Sequence, residues 1–129
     1  MGIGDKISDK DWKVLMDKIA ESDYRGEIDL GEEEIAYIES RGFEMMVRHA
    51  EDFVERRLGP ANPRNEGRQT PLKGHPLFLA QHATGANSRG ALAEYHSIPE
   101  GKALTREQID YVTDVVLRWL TERLEAHKN

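Results

Sequence analysis

The chain has 129 residues, of which 38% are hydrophobic and 33% charged, with a formal net charge of −6. This length predicts one domain, residues 1–129, with one hydrophobic core. The absence of cysteine excludes disulfides, thiolate ligands and thiol nucleophiles, and no apolar stretch is long enough to span a bilayer. We therefore expect a cytoplasmic protein without a membrane partner.

Hydrophobic spacing predicts helices in the N-terminal half. A helix over residues 9–22 should begin at an N-cap, Ser8, and bury one apolar stripe. Residues 23–31 are interpreted as a connector. A short helix with three glutamates in its first turn should follow over residues 32–40, where the helix dipole favours acidic side chains. A third helix is predicted over residues 43–58.

Residues 59–74 contain three prolines and three glycines, which predict a long irregular loop. Beyond the loop, Pro76 suits the first turn of a helix, although a short buried strand is an alternative interpretation of the apolar run that follows it. Ser88 is predicted to cap a helix over residues 89–96. A final helix, 106–126, should open with a capping box. The pattern as a whole is typical of an all-α fold, a small helical domain with a long irregular central loop.

The segment from Gln69 to Gly101 differs from its amphipathic neighbours, because polar groups that can perform chemistry alternate there with apolar residues. A helix over residues 89–96 would place Arg89 and His96 on one face, two turns apart. A buried guanidinium must have a partner, and we expect an anion from outside the chain to supply it. We predict acid–base roles for His82 and His96. The predicted ligand-binding residues are His75, Gln81, Thr84, Arg89, Arg68 and Lys73.

The charge distribution supports a site in this segment and also an alternative function. Residues 1–55 carry 7 Lys/Arg against 16 Asp/Glu, whereas residues 56–102 carry 7 against 3. Positive charge gathered in one place suits a small anionic ligand. The alternative is a nucleic-acid-associated module in which the basic loop, residues 56–73, follows a phosphate backbone. In a third interpretation, the polar residues only satisfy the irregular backbone of the segment.

Histidines 75, 82 and 96 with Glu94 could in principle supply metal ligands, but their spacing matches no compact ligand motif. We therefore predict no metal site, and the sequence identifies no cofactor. Ser88 and Thr84 lie near two of the histidines, but the Gly-x-Ser-x-Gly turn of a serine nucleophile is missing. Whether the protein is an enzyme and which oligomer it forms stay open at this point.

The stretches GHPLFLAQHAT, SRGALAEYHSIPEG and LTREQIDYV resemble an uncharacterised bacterial family, domain of unknown function 4186, and the likeness covers roughly residues 35–120. The family pattern has three cysteines where this chain has Asn87, Ser88 and Ala91, and a tryptophan where it has Tyr95. A role that depends on thiols therefore cannot be transferred to this chain. The resemblance implies a bacterial protein and strengthens the location of the site, but it adds no mechanism.

Overall fold

A computed structural model describes residues 6–63 and 69–128 of the chain. Seven α-helices follow one another in this part, and it contains no strand, so the all-α prediction is confirmed. The helices are α1 (Asp9–Ala20), α2 (Asp23–Gly26), α3 (Glu32–Arg41), α4 (Phe43–Phe53), α5 (Pro76–Ala83), α6 (Arg89–His96) and α7 (Arg106–His127). A π-helical turn, Val54–Leu58, continues α4.

The caps that the sequence predicted are present. The Ser8 hydroxyl accepts a hydrogen bond from the Asp11 backbone N–H at 3.0 Å, and Ser88 caps α6 in the same way. Thr105 and Gln108 form the capping box that opens α7. These bonds satisfy backbone N–H groups that have no acceptor within the first turn of a helix.

The core is organised around α7, which packs against both α4 and α5. Trp119 and Leu120 of α7 are buried, as predicted. Phe53, predicted to lie at the centre of this core, is only partly buried and packs against its edge. In the described residues, no helix is both long and apolar enough to cross a membrane.

One predicted element was wrong. The stretch interpreted as a connector contains α2, a single helical turn whose N-cap, Ser22, accepts a hydrogen bond from the Arg25 N–H at 3.1 Å. The prediction missed it because four residues are too few to show a periodic pattern. The turn fixes the positions of Tyr24 and Arg25.

Candidate functional site

Arg89 lies at the start of α6 and is only 4% exposed. Its Nη1 donates to the backbone carbonyls of Leu58 and Pro60 at 3.1 and 2.8 Å. Its Nη2 donates to those of Pro99 and Lys102 at 3.0 and 2.7 Å. The four hydrogens of the two terminal nitrogens therefore all point to the protein's own carbonyls. These carbonyls occupy the place of the external anion that the sequence argument expected.

The Arg89 guanidinium joins two loops that are distant in sequence, one after the π-helical turn and one between α6 and α7. A cavity of about 310 Å³ lies beside it, between these loops. Burial lowers the pKa of the Arg89 guanidinium, and the Glu100 carboxylate acts in the opposite direction. The cavity wall thus carries its own negative charge. The lining residues are Ala61, Asn62, Pro63, Gln69, Arg89, Gly90, Glu100 and Gly101.

The two histidines predicted to be catalytic do not line this cavity, and each is held in its own network. His82 Nε2 lies 3.1 Å from the Thr70 carbonyl oxygen and 3.2 Å from that of Pro71. Its Nδ1 lies 2.5 Å from the Tyr24 hydroxyl oxygen. A carbonyl can only accept, so Nε2 carries the proton and Nδ1 accepts from the phenol. His82 is therefore a neutral base directed at Tyr24.

His96 repeats this arrangement. Its Nε2 lies 2.8 Å from the Thr84 carbonyl oxygen, and its Nδ1 lies 2.9 Å from the Tyr111 hydroxyl. Burial lowers the pKa of both His82 and His96, and the carbonyl bonds oppose that shift. Arg25 lowers both values further through its charge. The described structure thus contains two Tyr–His–carbonyl units, both near Arg25 and neither bonded to Arg89.

Arg25 is the arginine that hydrogen-bonds to the segment around His82. Its Nη1 donates to the His82 carbonyl at 2.6 Å and to the Asn87 side-chain oxygen at 2.7 Å. Asn87 occupies a position where the family pattern described above has cysteine. Within the described residues, the Nη2 and Nε groups of Arg25 have no hydrogen-bond partner. Two bonds therefore fix the orientation of the guanidinium and leave donors for a ligand.

A second cation contacts the same tyrosine ring as Arg25. The Lys18 ammonium lies 5.0 Å from the centre of the Tyr95 ring, and the Arg25 guanidinium carbon lies 4.9 Å from it. Lys18 also donates to the Glu94 carbonyl at 2.7 Å. In the part of the chain that the structure describes, neither cation forms an ion pair with a carboxylate. Two unpaired cations around one ring create a local positive potential inside an acidic protein.

The other predicted ligand-binding residues are dispersed. Gln81 and Thr84 are buried at the end of α5, where they donate to the carbonyls of Ala86 at 3.2 Å and Ala80 at 2.8 Å. Lys73 is exposed. Arg68 lies outside the described residues.

His75 lies in a cluster of aromatic rings together with Tyr37, His49, Phe53 and Phe78. Its Nδ1 accepts from the Leu77 N–H at 3.1 Å and so caps α5. Its Nε2 is buried and has no hydrogen-bond partner among the described residues. Burial, with the charges of His49 and Arg57, lowers the pKa of His75 to about 4. His75 is therefore neutral near pH 7, and its cap requires that neutral form.

The described part of the basic loop shows how its charges are used. Arg56 pairs with Asp52 at 3.0 Å. The Arg57 guanidinium carbon lies 5.0 Å from the ring centres of both Phe53 and Phe78, a cation–π arrangement. Arg64 lies outside the described residues. In the residues that are described, no three His, Asp or Glu side chains are grouped so that they could hold a metal ion.

Sequence reasoning missed Lys18, Tyr24 and Arg25, because all three precede the segment on which it concentrated. Tyr24 and Arg25 contact residues 57 to 62 positions further along the chain. The signals that could have found them are weak: a helix-capping serine before a Tyr-Arg pair, and one lysine on the polar face of α1. Among the partners of Tyr24 and Arg25, His82 and Asn87 belong to the predicted segment.

Comparison with known proteins supports the resemblance noted in the sequence. Residues 13–121 match the family described as Domain of unknown function (DUF4186). The match covers every residue of the cluster around Arg25. No solved structure matches the chain.

Proposed function

The chain belongs to the DUF4186 family, and from the geometry of this member's site we propose that it binds a small anionic ligand at Arg25 and Lys18. The site, which we name the Arg25 site, consists of Lys18, Tyr24, Arg25, His82 and Tyr95. A single observation carries the proposal: among the described residues, an arginine oriented by two protein bonds keeps unpaired donors, and a second cation without an ion pair contacts the same tyrosine ring.

The chemistry of the guanidinium favours a phosphate or carboxylate group. Its planar donors match two oxygens of such a group, which a point charge such as an ammonium cannot do. The Tyr24 hydroxyl and the neutral His82 provide an acid–base pair next to the bound anion. An acid–base role of His96, which belongs to the second Tyr–His–carbonyl unit, stays a prediction from the sequence. Direct ligand contacts by His75, Gln81, Thr84, Arg89, Arg68 and Lys73 stay predictions from the sequence.

Titration of inorganic phosphate at low ionic strength, followed by calorimetry, tests the proposal. We expect saturable binding that Arg25→Gln weakens at least about tenfold, corresponding to the 1.4 kcal/mol that a charge-assisted hydrogen bond provides. Arg41→Gln is the matched control, because Arg41 is also a cation over a tyrosine ring but lies away from this site, on α3. Equal affinity in the two variants would contradict the proposal.

The nucleic-acid alternative has its own test. Binding to a polyanion weakens steeply with salt, because counterions are released from each contacted phosphate. A small anion held by two cations should show a much weaker salt dependence. Binding to DNA or RNA at low salt, lost on Arg57→Gln and unaffected by Arg25→Gln, would favour the alternative.

We propose that the Arg25 site acts in the bacterial cytoplasm, the location predicted from the sequence. Its support is the resemblance to a bacterial family and the absence of cysteine. Cell fractionation followed by immunodetection of the untagged chain would test it, and recovery in the periplasmic or membrane fraction would contradict it.

A further inference from the structure

Tyr24 is an exposed residue whose hydroxyl is hydrogen-bonded to a base. Tyr24 is 48% exposed, although its hydroxyl lies 2.5 Å from His82 Nδ1. The two rings meet edge to face, with their centres 5.7 Å apart. An exposed phenol that donates to a histidine is arranged like the activated hydroxyl of a nucleophilic enzyme, in which an adjacent base removes the proton during attack.

His82 is held in the form that this role requires. The carbonyls of Thr70 and Pro71 keep the proton on Nε2, so the lone pair of Nδ1 faces Tyr24. When Nδ1 takes the phenol proton, the same two carbonyls stabilise the imidazolium through its Nε2–H. Burial raises the pKa of Tyr24 and Arg25 opposes that shift. The free phenol therefore stays protonated at neutral pH and needs a base to react.

We propose that Tyr24 is a nucleophile that accepts the acyl group of a small acyl phosphate, with His82 as its general base. This inference rests on the proposed function, because Arg25 and Lys18 would hold the phosphate group. Tyr24 Oη forms a bond to the acyl carbon, and its proton moves to His82 Nδ1. The bond between the acyl carbon and the phosphate oxygen breaks, and phosphate leaves with the electron pair. The proton on His82 then passes to the departing phosphate, which leaves as hydrogen phosphate, and no oxidant or reductant is required.

The substrate class follows from the chemistry around Tyr24. Arg25 and Lys18 select for an anionic group, and a phenolate-like oxygen attacks a carbonyl carbon. The departing phosphate accepts the proton that His82 took from Tyr24, so it leaves as hydrogen phosphate. An acyl phosphate combines the anionic group, the electrophilic carbon and the leaving group in one small molecule.

The second Tyr–His–carbonyl unit provides an internal control. His96 and Tyr111 form the same chain of hydrogen bonds, but Tyr111 is partly buried whereas Tyr24 is exposed. His82→Asn keeps a hydrogen-bond acceptor near Tyr24 but removes the basic nitrogen. His96→Asn makes the same change in the other unit and should leave Tyr24 unaffected.

The experiment uses the full chain, incubated with acetyl phosphate and, in parallel, with the neutral donor N-acetylimidazole. Peptide mass spectrometry then measures the rate of acetylation at each tyrosine, and circular dichroism confirms that each variant is folded. With both donors we expect Tyr24 to be acetylated fastest, and His82→Asn to slow it about 100-fold, as expected for loss of a general base. Arg25→Gln should slow the reaction with acetyl phosphate and spare the reaction with N-acetylimidazole.

The outcomes separate the two proposals. If phosphate binds through Arg25 but His82→Asn and His96→Asn react equally at Tyr24, the nucleophile is overturned and the anion site stands. If Tyr24 depends on His82 but Arg25→Gln changes neither donor's rate nor phosphate binding, the anion site is overturned, and with it the acyl phosphate as substrate. Transfer of a phosphoryl group to Tyr24 would also overturn the acyl-transfer proposal.

Discussion

Arg89 and Arg25 use the same guanidinium group in opposite ways. Arg89 is 4% exposed and donates through both terminal nitrogens to four backbone carbonyls. Arg25 is partly buried, and among the described residues only its Nη1 is bonded to the protein. A guanidinium whose terminal donors are all occupied holds loops together, whereas one that is oriented and still has free donors can bind a ligand. Burial alone therefore does not identify a binding arginine.

The largest expected effect is a loss of folding stability on replacement of Arg89. Arg89→Leu would leave four carbonyls without their donors, and each unsatisfied buried polar group costs about 1–3 kcal/mol. We expect unfolding stability to fall by at least about 3 kcal/mol, measured by urea denaturation. Arg89→Lys, which keeps the charge but has fewer donors, should lie between Leu and wild type. A variant with leucine at this position and near wild-type stability would show that the four bonds are not structural.

Lowering the pH should reduce the folding stability through protonation of the histidines, whereas both arginines stay charged throughout. The pKa of His75 is lowered to about 4 in the folded chain, against about 6.5 when unfolded, so below pH 6.5 the unfolded state binds the proton first. Stability should therefore fall by about 1.4 kcal/mol per pH unit between pH 6.5 and 4 for this one group. His82 and His96 have lowered pKa values and act in the same direction.

His75→Asn isolates the contribution of His75, because asparagine is a good N-cap that does not titrate in this range. Urea unfolding at pH values from 7.5 to 4.5 should give a shallower loss of stability for the variant than for wild type. Identical slopes would show that His75 is not held neutral by the fold.

Arg25→Gln should have a smaller effect on stability than Arg89→Leu. It removes donors from the His82 carbonyl and Asn87, which corresponds to about 1–2 kcal/mol. The same variant should lose most of its affinity for phosphate. We therefore expect Arg89→Leu to lower mainly the stability and Arg25→Gln to lower mainly the phosphate affinity. The urea midpoint and the phosphate titration of one preparation provide both values. A stability loss as large as that of Arg89→Leu would remove the distinction between the two arginines.

The smallest expected effect is at Lys18. The side chain is exposed apart from its bond to the Glu94 carbonyl, so Lys18→Gln should change stability by less than about 0.5 kcal/mol. Phosphate affinity should fall by a few-fold, since an exposed charge contributes about 0.2–1 kcal/mol to such a contact. Lys13→Gln is a suitable control, because Lys13 lies on the same helix and is paired with Asp17. Equal affinities in these two variants would exclude Lys18 from the Arg25 site.

The sequence predicted local features well and distant contacts poorly. Ser8, Ser88 and Thr105 act as helix caps as predicted, because a cap depends only on residues three positions away. The buried position of Arg89 also followed from its helix. Its partners did not, because they are carbonyls of two loops whose approach depends on the whole fold. The contacts of Tyr24 and Arg25 were missed for the same reason, since helical periodicity contains no information about contacts across 57 residues.

The most direct test of the distinction between the two arginines is a phosphate titration of ¹⁵N-labelled protein, monitored at the arginine Nε–Hε signals by NMR. The signal of Arg25 should shift and saturate with the calorimetric affinity, because its free donors meet the anion. The signal of Arg89 should stay unchanged, since its Nε is buried and its terminal nitrogens are bonded to backbone carbonyls. A saturating shift at Arg89 with no change at Arg25 would contradict the roles proposed for the two arginines. It would indicate that phosphate binds in the cavity beside Arg89.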